Sequence, residues 1–392
     1  MSLLPLHPAW LAAVPAMIAG VAWLDLAWLP ILLVVPWVIL SQKHRAIAFA
    51  SAWGYYAAFS RDLPEAYAKF YPAASSLWGW LGWAFWAATL ALPWVFLIKR
   101  NMTPERKAIS ILVALTALTV PPFGFFHWGS PLLAGGALYP GMGVLGLLAT
   151  AALAATFPLW RKKTALATLA CLLALSVAAN TLWTTPARPE GWVAINTEMG
   201  RHPPIANRTE VIGRQEALYA LATEKLSEEG IKVILFPESI AGMDRPAIDF
   251  RWRPLSRRLA DDGGALLMGM DIWNGSEGYL NALKEPGGRI VARARVPMPS
   301  GGWKFGLAPG AFSDVFGSGT VSVAGRKASV SFCYEDFILW PHLELLTWQT
   351  EVLLAPGNQW SSKDLAAENT QNVSLAALGR LAGVPVLRAR NR

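Results

Sequence analysis

The sequence predicts two fold classes in one chain, a polytopic membrane helix bundle followed by a layered α/β domain. Three observations carry this. Residues 1–185 are a succession of apolar segments, whereas residues 186–392 have the composition of a soluble enzyme. The basic surplus lies in the apolar part, with 11 Lys+Arg against 4 Asp+Glu up to residue 185 and 23 against 22 beyond it. Strand-length apolar runs alternate with amphipathic stretches only after residue 190. The 392-residue chain is 54% hydrophobic and 15% charged, against about 25% charged in average soluble domains. An ordinary soluble enzyme and a disordered chain are both excluded. Seven of the eight net positive charges lie in the apolar part, where membrane topology accounts for them, so no nucleic-acid partner is expected.

Apolar segments lie near 9–24, 26–41, 46–60, 76–98, 108–127, 134–160 and 164–184, giving about seven helices in a transmembrane bundle over 1–185. The last four reach the roughly 20 residues that cross a bilayer. The first three are short, and the first two nearly fuse around Asp25, which reads as an interfacial turn. No cleavable signal peptide is expected, because apolar segments keep following the first. Lys43 and Arg45 follow the second segment, Lys99, Arg100, Arg106 and Lys107 the fourth, and Arg161, Lys162 and Lys163 the sixth. Basic loops stay in the cytoplasm. The expected location is therefore the bacterial inner membrane, multi-pass, with everything after about residue 186 in the periplasm. The 13 Trp before residue 186 read mostly as interfacial anchors and lipid-facing bulk. Thr184–Pro189, with two prolines, breaks the last helix.

Beyond this break, Trp192–Asn196, Lys232–Phe236, Ala265–Met270, Lys327–Phe332 and Glu351–Ala355 read as strands, and Glu210–Glu228 as an amphipathic helix. Three strand ends carry chemistry: Phe236-Pro237-Glu238-Ser239, Phe332-Cys333-Tyr334-Glu335 and Ala355-Pro356-Gly357-Asn358-Gln359-Trp360. Open sheets gather their sites at the carboxyl ends of strands. A thiol at one end and a carboxylate at a neighbouring end form a base–nucleophile pair, while a buried structural cysteine beside a loop carboxylate is the bland alternative. Two cysteines make no disulfide framework, and Cys171 lies in an apolar helix where packing explains it. The five histidines are scattered, so neither a metal nor a cofactor is expected. Gly141-Met142-Gly143-Val144-Leu145-Gly146 spells a dinucleotide fingerprint, but no strand precedes it, and close helix packing is the better reading.

The motifs around Glu238, Cys333 and Asn358-Gln359-Trp360 resemble those of the nitrilase, or carbon–nitrogen hydrolase, superfamily, and within it apolipoprotein N-acyltransferase. Leu267-Met268-Gly269, Tyr279-Leu280-Asn281-Ala282-Leu283, Leu378-Gly379-Arg380 and Pro385–Ala389 extend the match over most of 190–392. The order of the chain, helices first, is similar to conjugal transfer proteins of Ti-type plasmids that belong to this acyltransferase-like group. The resemblance implies an αββα sandwich in a nitrilase-like domain over 186–392. It implies Cys333 as nucleophile, Glu238 as general base and Glu335 as a supporting carboxylate. The family's lysine before a Val-Pro pair has no counterpart in Arg289–Pro297; Arg293 lies closest, and Lys304 follows beyond the proline as the first-choice oxyanion stabiliser. The sequence also ends at Arg390-Asn391-Arg392, earlier than the family pattern, which implies a C-terminally shortened domain.

The leading function is a membrane-bound thiol acyltransferase that moves an acyl group through a Cys333 thioester to an amine, in plasmid conjugal transfer. The expected partners are membrane phospholipid, a lipoprotein or pilin substrate, and other conjugative transfer proteins. The competing readings are a periplasmic amidase or transpeptidase acting on a membrane peptide such as a pilin, and a catalytically inactive conjugation assembly factor. Two further stretches bear on this. Ser300–Phe312 reads as a mobile membrane-dipping lid or an ordinary loop, and Ile338–Trp348 as a buried helix or a contact with lipid or the bundle.

Overall fold

The structure, a computed structural model, describes residues 8–204, 207–275, 278–299, 302, 310–347 and 350–392. The chain forms two compact units. The first comprises residues 1–185, 337–346 and 365–383; the second comprises 186–336, 347–364 and 384–392.

In the first unit the helices are α1 (Pro8–Ala22), α2 (Val34–Leu40), α3 (Arg45–Phe59), α4 (Leu63–Phe70), α5 (Ser76–Leu97), α6 (Pro104–Thr119), α7 (Gly135–Leu138), α8 (Gly143–Thr156) and α9 (Lys163–Thr181). By length and composition, α5 and α9 are the two described helices able to cross a membrane. The expected span over 134–160 is instead a pair of helical pieces, Pro131–Leu138 and Gly143–Leu159, bent by 118°. The expected span over 108–127 ends at Thr119, just before Pro121-Pro122, and α6 has only 16 residues. Hydropathy registers apolar content but not these proline and turn breaks. Asp25 accepts from the Ala27 amide at 2.8 Å and caps the start of a 3-10 helix over Leu26–Leu33. Several tryptophans expected to face lipid are interhelix donors. Trp53, Trp83 and Trp86 give their indole N–H to the carbonyls of Ala84, Ala57 and Phe126, and Trp94 gives its own to the Tyr56 hydroxyl.

A helix from the far end of the sequence completes this unit. Helix α12 (Ala366–Ala382) begins with the Ala367 amide on the Asp62 carboxylate at 2.6 Å, and Asn369 donates to the carbonyls of Trp23 and Leu24. Its backbone runs so close to α7 that a Cβ on Gly136 would lie 2.2 Å from the Ala377 carbonyl oxygen. The Gly141 amide donates to the Arg380 carbonyl at 2.7 Å, and a Cβ on Gly146 would meet Leu381 at 2.7 Å. The glycines of 141–146 thus serve close packing. Of the apolar stretch 338–348, residues up to 346 also belong to this unit; just before it, the Phe337 ring lies 5.5 Å from that of Trp128.

Among its described residues the second unit holds ten strands in two sheets. One sheet runs β1 (Trp192–Ala194), β2 (Val233–Leu235), β3 (Ala265–Trp273), β4 (Gly278–Lys284) and β5 (Ile290–Arg293), with β6 (Gly310–Ala311) also on β4. The other runs β10 (Val386–Asn391), β9 (Val352–Asn358), β8 (Arg326–Val330) and β7 (Thr320–Val323). Neighbours β1–β2–β3 and β8–β9–β10 are parallel. Between the sheets lies a buried apolar cluster of Val233, Leu235, Leu267 and Leu283 from one and Val330, Val352, Leu354 and Leu387 from the other. Alternate residues of the first sheet, Ile234, Leu266, Met268 and Met270, face helices α10 (Arg208–Leu226) and α11 (Pro246–Asp261) through Leu218 and Trp252. Strands buried on both faces explain the continuous apolar runs in the sequence. Within this unit the order of layers is helix, sheet, sheet. Helix α12 packs on α7 and α8 of the first unit.

Candidate active site

The parallel strands β2, β8 and β9 deliver their carboxyl ends to one place. After β2 the chain turns through Glu238 and Ser239, the latter with φ +47°. After β8 it turns through Cys333, with φ +28°. A residue other than glycine in this region is held there by its surroundings, and both turns are held. The Glu238 turn rests on Gly269 of β3, where a Cβ would lie 2.2 Å from the Pro237 carbonyl oxygen. The Cys333 turn is clasped by Glu335. This fully buried carboxylate accepts from the backbone amides of Phe332 (2.9 Å), Arg295 (2.6 Å) and Val296 (2.9 Å). It ties the cysteine loop to the segment leaving β5.

The thiol and the carboxylate meet. The Cys333 thiol is hydrogen-bonded to the Glu238 carboxylate, and its sulfur also lies 3.5 Å from the Asn358 carbonyl at the end of β9. Asn281 of β4 donates its side-chain amide to the Glu238 carboxylate as well. Ser239 donates to Asp271 at 2.7 Å, and Ser331 donates to the buried Asp336. Beneath Asn358, the Asn391 amide donates to its side-chain oxygen at 2.9 Å and to the Gly200 carbonyl at 2.7 Å. The third strand end is thereby fixed to the first strand's exit.

The ionisable groups described at this site are predominantly acids. Burial raises the Glu238 carboxyl to about 8; nearby Asp271 and Asp336 push the same way, while the Asn281 amide and the thiol oppose. Burial likewise pushes the Cys333 thiol well above the usual thiol range, helped by the charges of Glu238 and Asp336. Asp271 is raised to about 6 by burial. Burial raises Glu335 too, against the pull of Arg295 and the three amides. Near neutral pH the thiol therefore holds its proton, and only a minority of Glu238 is ionised and able to act as base. A nucleophilic thiolate forms here only as Glu238 takes the thiol proton during attack, or when a positive group approaches.

Of the residues singled out from sequence, Glu238, Cys333 and Glu335 come together. Arg293 is exposed on β5, opposite Ala282. Lys304 lies outside the described residues, as does most of 300–309. Sequence reasoning missed Asp271 and Asp336. Asp271 follows the apolar run of β3 and was reachable by the same strand-end rule as Glu238. Asp336 gives no such signal, being one carboxylate after another. Arg214 of α10 was also missed: its guanidinium donates to the carbonyls of Met199, Gly200, Arg201 and Ile240, pinning the loops after β1 and after Glu238.

No protein-family model matches the chain. It is 28% identical over 397 residues to a probable conjugal transfer protein TraB of Sinorhizobium fredii, covering 98% of each chain. It is 29% identical over 393 residues to the conjugal transfer protein TraB of Agrobacterium fabrum, covering 93% of this chain and 87% of that one. Along nearly its whole length the chain resembles TraB proteins. Among solved structures, a mutant Nesterenkonia amidase of the nitrilase superfamily matches 53% of this chain and 79% of its own at 16% identity, with a TM-score of 0.36. A carbon–nitrogen hydrolase of Helicobacter pylori matches 51% of this chain and 73% of its own at 14% identity, with a TM-score of 0.34. The similarity to TraB proteins runs through both units, since it spans the apolar helices as well as the strands that carry Glu238 and Cys333.

Proposed function

We propose that this protein is a membrane-bound, nitrilase-like thiol acyltransferase working in plasmid conjugal transfer. One observation carries the chemistry: the Cys333 thiol bonded to the Glu238 carboxylate at adjoining strand ends. In the reaction, the thiol sulfur attacks the carbonyl carbon of an acyl ester as Glu238 takes the thiol proton. The ester C–O bond breaks, the departing alkoxide takes that proton from Glu238, and an acyl thioester remains on Cys333. An amine then attacks the thioester carbonyl, Glu238 takes the amine proton, and the C–S bond breaks. The thiolate recovers the proton from Glu238. The oxyanion formed in each half needs a positive group or backbone donors, and Lys304 is the first candidate, with Arg293 second.

In this reading residues 1–185 form the multi-pass inner-membrane part and residues 186–392 carry the periplasmic catalytic domain. The membrane supplies phospholipid as acyl donor, and a lipoprotein or pilin supplies the amine. Holding the site at the bilayer raises the effective concentration of both. The names of the TraB relatives support a place among conjugative transfer proteins. The same thiol chemistry serves an amidase or transpeptidase, in which the first bond broken is C–N. The lack of the family's lysine in Arg289–Pro297 favours, as a second reading, an assembly factor that keeps the fold without turnover.

The test is complementation of conjugal transfer in a host whose copy of the gene is deleted. Under the acyltransferase reading Cys333→Ala transfers no better than the deletion, and Lys304→Ala or Arg293→Ala identifies the cation. If all three variants restore full transfer, the assembly-factor reading replaces it.

A further inference from the structure

The first unit carries a second feature, remote in sequence from the thiol chemistry. Between the carboxyl end of α5 and the start of α6 lies a groove of about 590 Å³. One wall is apolar and open: Phe96 is 73% exposed, Ile109 62% and Val113 47%. The other end carries Lys99 and Arg106, with the hydroxyl of Thr103 beside them. The one carboxylate lining the groove, Glu105, is engaged by Lys162, which holds its carboxyl down to about 2. Among the described residues no carboxylate lies within ion-pair reach of Lys99 or Arg106. The groove thus offers, at one end, two cations outside ion-pair reach of any described carboxylate, and exposed hydrocarbon at the other. Exposed Phe, Ile and Val beside cations would be costly in water, but they match the boundary where headgroup meets acyl chain.

We propose that this groove binds one anionic phospholipid, its phosphate between Lys99 and Arg106 and an acyl chain along Phe96, Ile109 and Val113. The proposal rests on the reading that α5 spans a bilayer. It needs no catalytic step, and the site shares no residue with the Glu238–Cys333 pair. The occupant is anionic and not zwitterionic, because a zwitterionic headgroup would bring its own ammonium toward the same two cations. Two such cations are together worth a factor of about 30 in binding.

The experiment is native mass spectrometry of the full-length protein in detergent, titrated with phosphatidylglycerol or phosphatidylethanolamine. Phosphatidylglycerol is expected to bind the wild type at least about tenfold more tightly. Lys99→Ala/Arg106→Ala is expected to weaken phosphatidylglycerol by about 30-fold and leave phosphatidylethanolamine unchanged. A charge-matched control on exposed α11 residues, Arg257→Ala/Arg258→Ala, should bind as wild type. Equal binding of the two lipids, or full phosphatidylglycerol binding by the double variant, overturns the proposal. So does displacement by inorganic phosphate as effective as by phosphatidylglycerol, since the occupant is then a free anion. Carbonate extraction of membranes tests the underlying reading separately. Release of the protein sinks the membrane reading, whereas retention without headgroup preference sinks only the lipid site.

Discussion

Glu238 is held in a place where its own charge is unwelcome, and this governs how Cys333 reacts. The carboxyl, raised to about 8, becomes an effective base only as pH climbs through that value. In a Cys171→Ala background, alkylation of Cys333 by iodoacetamide should therefore accelerate between pH 6 and 9 without levelling off below 8. Glu238→Gln removes the negative charge that raises the thiol. That variant should be alkylated faster than wild type at alkaline pH, yet lose acyl transfer by the roughly 100- to 10,000-fold that a general base contributes. Stability follows the same proton. The fold binds it more tightly than the unfolded chain, so the contribution is complete below about 4.5 and lost as pH rises through about 8. The melting temperature of Glu238→Gln should consequently gain on wild type across that interval, as thermal scans at pH 5 and pH 8 would record. Glu335 answers to a different logic. Its replacement by Ala leaves three buried amides without an acceptor, each costing about 1–3 kcal/mol. Glu335→Ala should lower the melting point far more than Glu335→Gln, which keeps one amide oxygen.

At the scale of elements, two glycines mark where backbones touch. Gly269 lets β3 pass under the Glu238 turn, and Gly136 lets α7 lie against α12. Adding a methyl group at either should cost about 1–3 kcal/mol through overpacking. Gly269→Ala should also abolish acyl transfer by displacing Glu238, while Gly136→Ala should loosen α12 and leave the purified site able to react. Limited proteolysis near residue 366, beside the activity assay, separates the two outcomes. The sheet elements were legible in the sequence because strands buried on both faces leave unbroken apolar runs, as in Lys232–Phe236 and Glu351–Ala355. The meeting of Glu238 with Cys333 was legible through the strand-end rule and the motif match. The helices of 1–185 were less so. Hydropathy gives the same score to a straight span and to one bent by 118°. It also cannot tell a lipid-facing Trp from Trp94, whose indole is buried on Tyr56. The placement of α12 was hidden because its contacts with Asp62, Trp23 and Gly136 lie hundreds of residues away in sequence.

Over the whole molecule, sidedness connects chemistry to location. The proposed topology, which rests on the alternating basic loops, has the loop near residue 103 in the cytoplasm and the domain after residue 186 outside. Alkaline phosphatase fused at residue 200 should be active and at residue 103 inactive; the reverse pattern would invert the proposed topology. The most direct measurement is intact mass of the purified full-length protein after incubation in detergent with bacterial phospholipid. The account predicts an acyl adduct on Cys333 in the wild type, discharged by an added amine and absent from Cys333→Ala. A wild-type protein that never gains the adduct, or an adduct that persists in Cys333→Ala, would contradict it.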